Sequence, residues 1–195
     1  MPRRPPLNPC GYYHVSTRGS FGQPLFQTAD EHELYLELYA RSATKFGLST
    51  LAWALIWNHH HFLVKLSDGE LWEAMRRTNH SFARRMNAVY GRTNQGHLVQ
   101  HSCFARELVS DEDVMTVCRY IDLNPVAAHL CTTPAEWAWS GFAATMGFVK
   151  PRPFHDVRAE LRLFGETPRR ASENYARFVL DPSLGRVTEV SRAVA

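Results

Sequence analysis

The sequence predicts an α+β fold, a ferredoxin-like sandwich with a four- to five-stranded antiparallel sheet and a helical extension at its C-terminal end. Three observations carry this expectation. Secondary-structure signals run in the order strand, helix, two strands, helix, strand, helix. The two long helical stretches act as crossovers between strands, and the texture of the chain changes after Cys131. Residues 1–130 read as one domain, 131–180 as the extension and 181–195 as a tail with little pattern, expected to be disordered.

The first strand is Tyr12–Arg18 (YYHVSTR), aromatic and β-branched, closed by Gly19. A glycine- and proline-bearing loop, Gly19–Pro24, follows. From Asp30 to Phe46, Leu34, Leu38 and Ala43 recur at helical spacing beside Tyr35 and Tyr39, and Gly47 stops that helix. Leu48–Trp57 is an apolar run of strand length. Asn58 interrupts it, and His60–Leu66 resumes as a second strand. Leu71, Met75, Phe82, Met86 and Val89 mark one face of a long helix ending at Gly91. After the polar loop Gly91–Gly96, His101–Leu108 reads as a further strand. Ser110 or Asp111 can cap a helix from Glu112 to Leu123. Beyond Cys131, Trp137 and Trp139 form an aromatic segment, and Pro151 and Pro153 read as a linker. Two short helices are predicted at Asp156–Phe164 and Pro168–Leu180.

Composition narrows the class of protein. A chain of 195 residues, 45% hydrophobic, has enough apolar material for a core, and no apolar run is long enough to cross a bilayer. The basic, proline-rich start has no apolar segment behind it and does not read as a secretory signal. Four cysteines without C-x-x-C pairing argue against a cysteine zinc site or a disulfide framework. A cytoplasmic protein, beside the nucleoid when bound to DNA, is the expectation. The net charge is only +3, but between Leu71 and Arg106 stand six arginines and one acid, Glu73. That local excess suits contact with phosphates, or else a solvated helix face.

Trp57-Asn58-His59-His60-His61-Phe62 sets three histidines at the start of an apolar strand. Strand side chains alternate, so His59 and His61 share a face and His60 points the other way, toward the helical layer or its edge. Two imidazoles on one face can share a metal, but H-x-H alone also describes a polar strand end. A second segment, Arg119-Tyr120-Ile121-Asp122-Leu123-Asn124-Pro125, places Tyr120 and Asn124 one helical turn apart. Tyr120 can offer a hydroxyl and Asn124 an amide oxygen. The same residues also read as ordinary packing, with Asn124-Pro125 starting a new helix.

Taken in order, YYHVSTRGSFGQPLF, LAWALIWNHHHFLV, SFARRMNAVYGRTNQGHLVQ, RYIDLNPVAAHL and PAEWAWS resemble the IS200-like (Y1) transposases, above all their REP-associated tyrosine transposase branch. The resemblance runs from Tyr12 to Ser140, with LFGE and YARFV similar further on. It implies that residues 1–130 are an HUH nuclease domain. His59 and His61 match the paired histidines, Tyr120 the nucleophile, and Asn124 the third, polar metal ligand. Three positions depart from the family pattern: His60 lies between the paired histidines, Trp57 precedes the asparagine, and His101-Ser102-Cys103 replaces a glycine and a basic residue.

The resemblance implies a divalent ion, Mg²⁺ or Mn²⁺, with the two nitrogen ligands tilting the choice toward Mn²⁺. It implies cleavage and rejoining of single-stranded or hairpin DNA at palindromic repeats through a 5′-phosphotyrosine, by a monomer or homodimer. Arg18, Arg76, Arg77, Arg84, Arg85 and Arg92 are the candidate DNA contacts. Two other readings compete. One is a domesticated hairpin-binding protein that keeps the fold and does not cleave. The other is a metal-binding or structural protein unrelated to DNA.

Overall fold

The computed structural model describes residues 7–91, 97–100 and 103–184. Its elements are β1 (Tyr12–Arg18), α1 (Ala29–Lys45), β2 (Leu48–Ile56), β3 (His59–Leu66), α2 (Leu71–Val89), β4 (Phe104–Leu108) and α3 (Asp111–Ala127). The short helices α4 (Phe142–Thr145) and α5 (Val157–Arg162) and the longer α6 (Pro168–Leu180) follow. The strands pair antiparallel in the order β2-β3-β1-β4, the ferredoxin-like arrangement, so the sheet has four strands among the described residues.

Alternation along the strands divides the molecule into two layers of packing. Tyr13, Val15, Phe62 and Val64 face α1 and α2 and meet Tyr35, Leu36, Tyr39, Met75 and Phe82. Leu63, Leu51, Ala52 and Ala54 face the other way, toward Val114, Val117, Cys118 and Ile121 of α3. A bulge between Thr50 and Ala52 sends Leu51 and Ala52 to the same side.

Local sequence explains where the helices begin and end. The Thr28 hydroxyl accepts from Glu31 N at 3.3 Å, and the Ser110 hydroxyl accepts from Asp113 N at 3.1 Å. Gly47 takes φ +66°, a left-handed conformation that glycine adopts without strain, and so ends α1. The buried stripe of α1 centres on Tyr35, Leu36 and Tyr39, with Leu34 and Leu38 only partly covered. In α2 the stripe stops at Met86, and Val89, expected inside, is 71% exposed.

The largest difference from the sequence reading concerns α3, which does not break before Pro125. Asn124 lies inside the helix, and its carbonyl accepts from Ala128 N at 2.9 Å. Pro125 removes one N–H bond, to the Ile121 carbonyl, and packing of the helix on the sheet outweighs that loss. The segment around Pro151 and Pro153 is also not a free linker. Trp139 O accepts from Leu55 N at 2.9 Å, Phe154 O accepts from Thr50 N at 3.4 Å, and Arg152 pairs with Glu33 at 2.6 Å. Residues 137–156 thereby cover the outer edge of β2, which would otherwise expose unpaired backbone groups.

The C-terminal helices close over the back of α3. Tyr175 donates to Asp122 Oδ2 at 2.7 Å, and Thr145 donates to Glu160 Oε2 at 2.6 Å, all fully or nearly buried. Burial, reinforced by the charge of Glu160, pushes the Asp122 carboxyl well above the ordinary carboxylate range. The Arg119 guanidinium donates to the carbonyls of Phe178 and Asp181 at 3.1 and 3.0 Å, capping α6. Among the described residues no helix is long and apolar enough to cross a membrane. Of the tail 181–195 expected to be disordered, Pro182–Leu184 form a short 3-10 turn, and 185–195 lie outside the described residues.

Candidate active site

β1 and β3 build the site by their shared register. Ser16 pairs with His61 and Arg18 with His59, while His14 pairs with Leu63. Paired residues share a face, so His14, Ser16, Arg18, His59 and His61 all look toward α3. As the alternation predicts, His60 looks toward α1 and α2. Its Nε2 donates to the Tyr35 hydroxyl at 2.6 Å, and that hydroxyl donates to Asn79 Oδ1 at 2.7 Å. The extra histidine is therefore a core group with a hydrogen-bond partner, on the face opposite His59 and His61.

On the α3 side, the rings of His59 and His61 are 4.9 Å apart between centroids. His59 Nδ1 donates to Asn58 Oδ1 at 2.7 Å, and the Asn124 side chain is hydrogen-bonded to the same imidazole. His61 Nδ1 is 2.9 Å from His14 Nε2, and His61 Nε2 is 3.4 Å from the Tyr120 hydroxyl. Tyr120 also meets the rings of His61 and His14 edge-on, at 5.1 and 5.7 Å. Tyr120 and Asn124 thus reach the two histidines from successive turns of α3, and the unbroken course of the helix through Asn124 makes this possible.

The site holds its imidazoles neutral. Burial, and then the positive charge of Arg106 on β4, lower His14 to about 4. Burial, and then Arg18, lower His59 to about 4, against a hydrogen bond to Asn124 that raises it. Burial and the neighbouring imidazoles hold His61 well below the usual histidine range. A neutral imidazole is the form that binds metal. Among the described residues no three His, Cys, Asp or Glu side chains are placed to hold an ion. The donor set that fits one is two imidazole nitrogens with an amide oxygen, which leaves positions for water and a phosphate oxygen.

The arginines expected to contact DNA do not form one surface. Arg18 stands beside His59 at the end of β1. Arg76 and Arg84 line a groove of about 550 Å³ between α2 and residues 97–100. Arg77 turns away, its guanidinium 5.4 Å from the Phe46 ring and 3.0 Å from Glu73. Arg85 is exposed on α2 outside that groove. Arg92 lies outside the described residues.

Three residues around the site escaped the sequence reading in this role: His14, Asn58 and Arg106. His14 carried a signal, since period-two alternation along Tyr12–Arg18 puts it on the face of Ser16 and Arg18. Nothing in the spacing announces that β3 comes alongside with His61. Asn58 reads as an interruption, yet it holds His59 in place, and Arg106 is visible in the sequence only as one of six arginines.

None of the curated proteins matches this sequence. Among solved structures, a REP-associated tyrosine transposase bound to a REP hairpin is similar in fold, with a TM-score of 0.63 and 14% identity over 80% of this chain and 89% of that one. A Deinococcus radiodurans R1 protein described as a candidate transposase aligns with a TM-score of 0.43 and 18% identity, over 63% of this chain and 96% of its own. That second likeness is too low to carry an argument. The family described as IS200-like transposases matches residues 10–124, more than half of the 195-residue chain. On that match, this chain belongs to the IS200-like transposase family.

Proposed function

We propose that the protein cuts and rejoins hairpin-bearing single-stranded DNA, with Tyr120 as nucleophile and a divalent ion held by His59, His61 and Asn124. The observation that carries this reading is the Tyr120 hydroxyl 3.4 Å from His61 Nε2, on the helix whose next turn brings Asn124 to His59. A nucleophile, two neutral imidazoles and an amide oxygen meet on one face of the sheet. Similarity in fold to a transposase bound to a REP hairpin supports DNA of that kind as the substrate.

An ion bound there, Mn²⁺ or Mg²⁺, would neutralise the charge that grows on the phosphate oxygens and favour loss of the phenol proton. Tyr120 Oη forms the new bond to phosphorus, and the bond to the 3′-oxygen breaks. The products are a 5′-phosphotyrosine and a free 3′-hydroxyl. Because the phosphodiester is conserved as a phosphotyrosine ester, that hydroxyl can attack it in turn, restore the strand and release Tyr120. Arg18 stands where it can meet a phosphate next to the scissile one. Asn58 orients His59, and His14 orients His61, by engaging their Nδ1 atoms.

A non-cleaving reading drew its support from the departures at His60 and His101; the imidazole of His60 lies on the opposite face of the sheet, and His101 lies outside the described residues. The test is cleavage of labelled hairpin oligonucleotides with Mn²⁺, resolved on a denaturing gel beside Tyr120→Phe, His59→Ala and a chelator. Cleavage by the native protein alone supports the proposal. Binding without cleavage under every metal tried overturns it.

A further inference from the structure

α3 packs chiefly on β2 and β3 and reaches β4 at Leu108. A strip of the same sheet face, over β1 and the start of β4, is left open beside Tyr120. Phe104 marks the opening. It pairs with Ser16 from β4 and faces the same way as buried Leu108, yet it is 38% exposed. Ala105, between them in the alternation, turns to the other face and packs on the α1–α2 core.

Two polar side chains of this strip are left unsatisfied by the fold. Ser16 is only 5% exposed, and its hydroxyl has no hydrogen-bond partner among the described residues. Thr17, facing the other way, has its hydroxyl engaged by Asn79 Nδ2 at 3.2 Å. Arg106 is half-buried and makes no ion pair or hydrogen bond among the described residues. The acid next to it, Glu107, points to the opposite face and accepts from Asn8 Nδ2 at 3.0 Å. Covering a cation without a counter-charge is unfavourable, and so is covering a hydroxyl without a partner. An anion bound between the two would offset both.

These donors bracket Tyr120. Ser16 is the β1 partner of His61, whose Nε2 is 3.4 Å from the Tyr120 hydroxyl. Arg106 is the β4 partner of His14. Tyr120 meets both imidazoles edge-on, His61 at 5.1 Å and His14 at 5.7 Å between centroids, and so stands over both rows. The rows lie two residues apart along β1, about 7 Å, a gap that an arginine side chain spans.

We propose that Ser16 and Arg106 are further catalytic residues, donating to the non-bridging oxygen of the scissile phosphate that faces away from His59 and Asn124. As Tyr120 Oη bonds to phosphorus and the 3′-oxygen leaves, negative charge is spread over both non-bridging oxygens. One faces the paired histidines and Asn124. The other is met by the Ser16 hydroxyl and the Arg106 guanidinium, which hold it through the phosphotyrosine and again when the 3′-hydroxyl returns. Neither residue gains or loses a proton, so the bonds made and broken are those of cleavage and rejoining alone. The inference rests on the reading of Tyr120 as the nucleophile of a DNA-cutting enzyme and completes its phosphoryl-binding site.

The test is single-turnover adduct formation by the full chain with Mn²⁺ and hairpin DNA. At the cleavage position mapped with the native protein, the DNA carries an ordinary phosphate or one of the two phosphorothioate diastereomers. Ser16→Ala and Arg106→Gln are each expected to slow adduct formation on the ordinary phosphate about 10- to 100-fold, with Mn²⁺ affinity unchanged. Sulfur accepts hydrogen bonds poorly, so the diastereomer with sulfur toward Ser16 should react slowly with the native protein. That penalty should shrink in Ser16→Ala, while the other diastereomer keeps its own. Undiminished rates in the variants overturn the proposal, and so does a loss that leaves both thio effects as they were or that matches a loss of Mn²⁺ affinity. Native adduct with indifferent variants removes only these two donors. No native adduct removes the nuclease itself, and the two donors with it.

Discussion

His14 Nε2 lies 2.9 Å from His61 Nδ1, with both rings buried on the face of the sheet that Tyr120 approaches. For His61 to offer Nε2 to a cation, its Nδ1 must carry the proton and donate it to His14. His14 is thus the positioning residue for the better buried of the two proposed ligands. His14→Ala is expected to weaken Mn²⁺ binding by about 10- to 100-fold, measured by titration calorimetry or by the paramagnetic signal of free Mn²⁺. Unchanged affinity in a folded His14→Ala protein would show that His61 needs no such partner.

His60 belongs to the fold and not to the site. Tyr35→Phe removes the hydroxyl that joins His60 to Asn79, leaving buried polar atoms short of partners. A loss of about 1–3 kcal/mol is expected in urea unfolding, with cleavage per folded molecule retained. A stable variant with impaired cleavage would instead tie this network to catalysis.

The histidine cluster also makes stability depend on pH. Folding lowers His14 and His59 to about 4 and His60 to about 3, from the ordinary 6.5. Below 6.5 the unfolded chain takes up protons that the native state refuses until its own, lower values are reached. The stability these groups provide is therefore complete above about 6.5 and drains away as pH falls toward 4. Metal-free protein should show a urea midpoint that drops over that window, and a flat profile would contradict the burial of these rings. Replacing His60 by an aromatic that cannot titrate should remove part of the slope.

The extension is anchored to the helix that carries Tyr120. Tyr175→Phe strips the hydrogen bond from Asp122, whose carboxyl is fully buried. The expected cost is about 1–3 kcal/mol, read as a lower thermal midpoint. Faster amide exchange in α6 should accompany it. Asp122→Asn, which keeps the shape and removes the ionisable group, should be milder. The opposite ranking would mean that the carboxyl and not the hydroxyl holds this joint.

Much of this arrangement was legible in the residues. Tyr12–Arg18 appears as the strand expected, because alternation and the closing glycine are local signals. The opposite facing of His59 and His60 followed from strand geometry alone and holds. The helix through Asn124-Pro125 was ambiguous because local rules pull against continuation there. Contacts with β2 and α6, which no local rule contains, decide it. The stretch around Pro151 and Pro153 read as a linker for the same reason, since the pairing partner of Phe154 on β2 lies about a hundred residues earlier. His59, His61, Tyr120 and Asn124 come together, whereas the arginines among the described residues divide between a groove, a helix surface and the end of a strand. Charge counts show how many arginines there are and not which way they face.

Peptide mapping of the adduct shows whether Tyr120 becomes covalently joined to DNA. The protein would be incubated with hairpin DNA and Mn²⁺, digested with nuclease and trypsin, and examined by mass spectrometry. The expected product is a nucleotide-bearing peptide that begins just after Arg119, with the phosphate on Tyr120. Cleaved DNA with an unmodified Tyr120, or a phosphate carried by another residue, would contradict it.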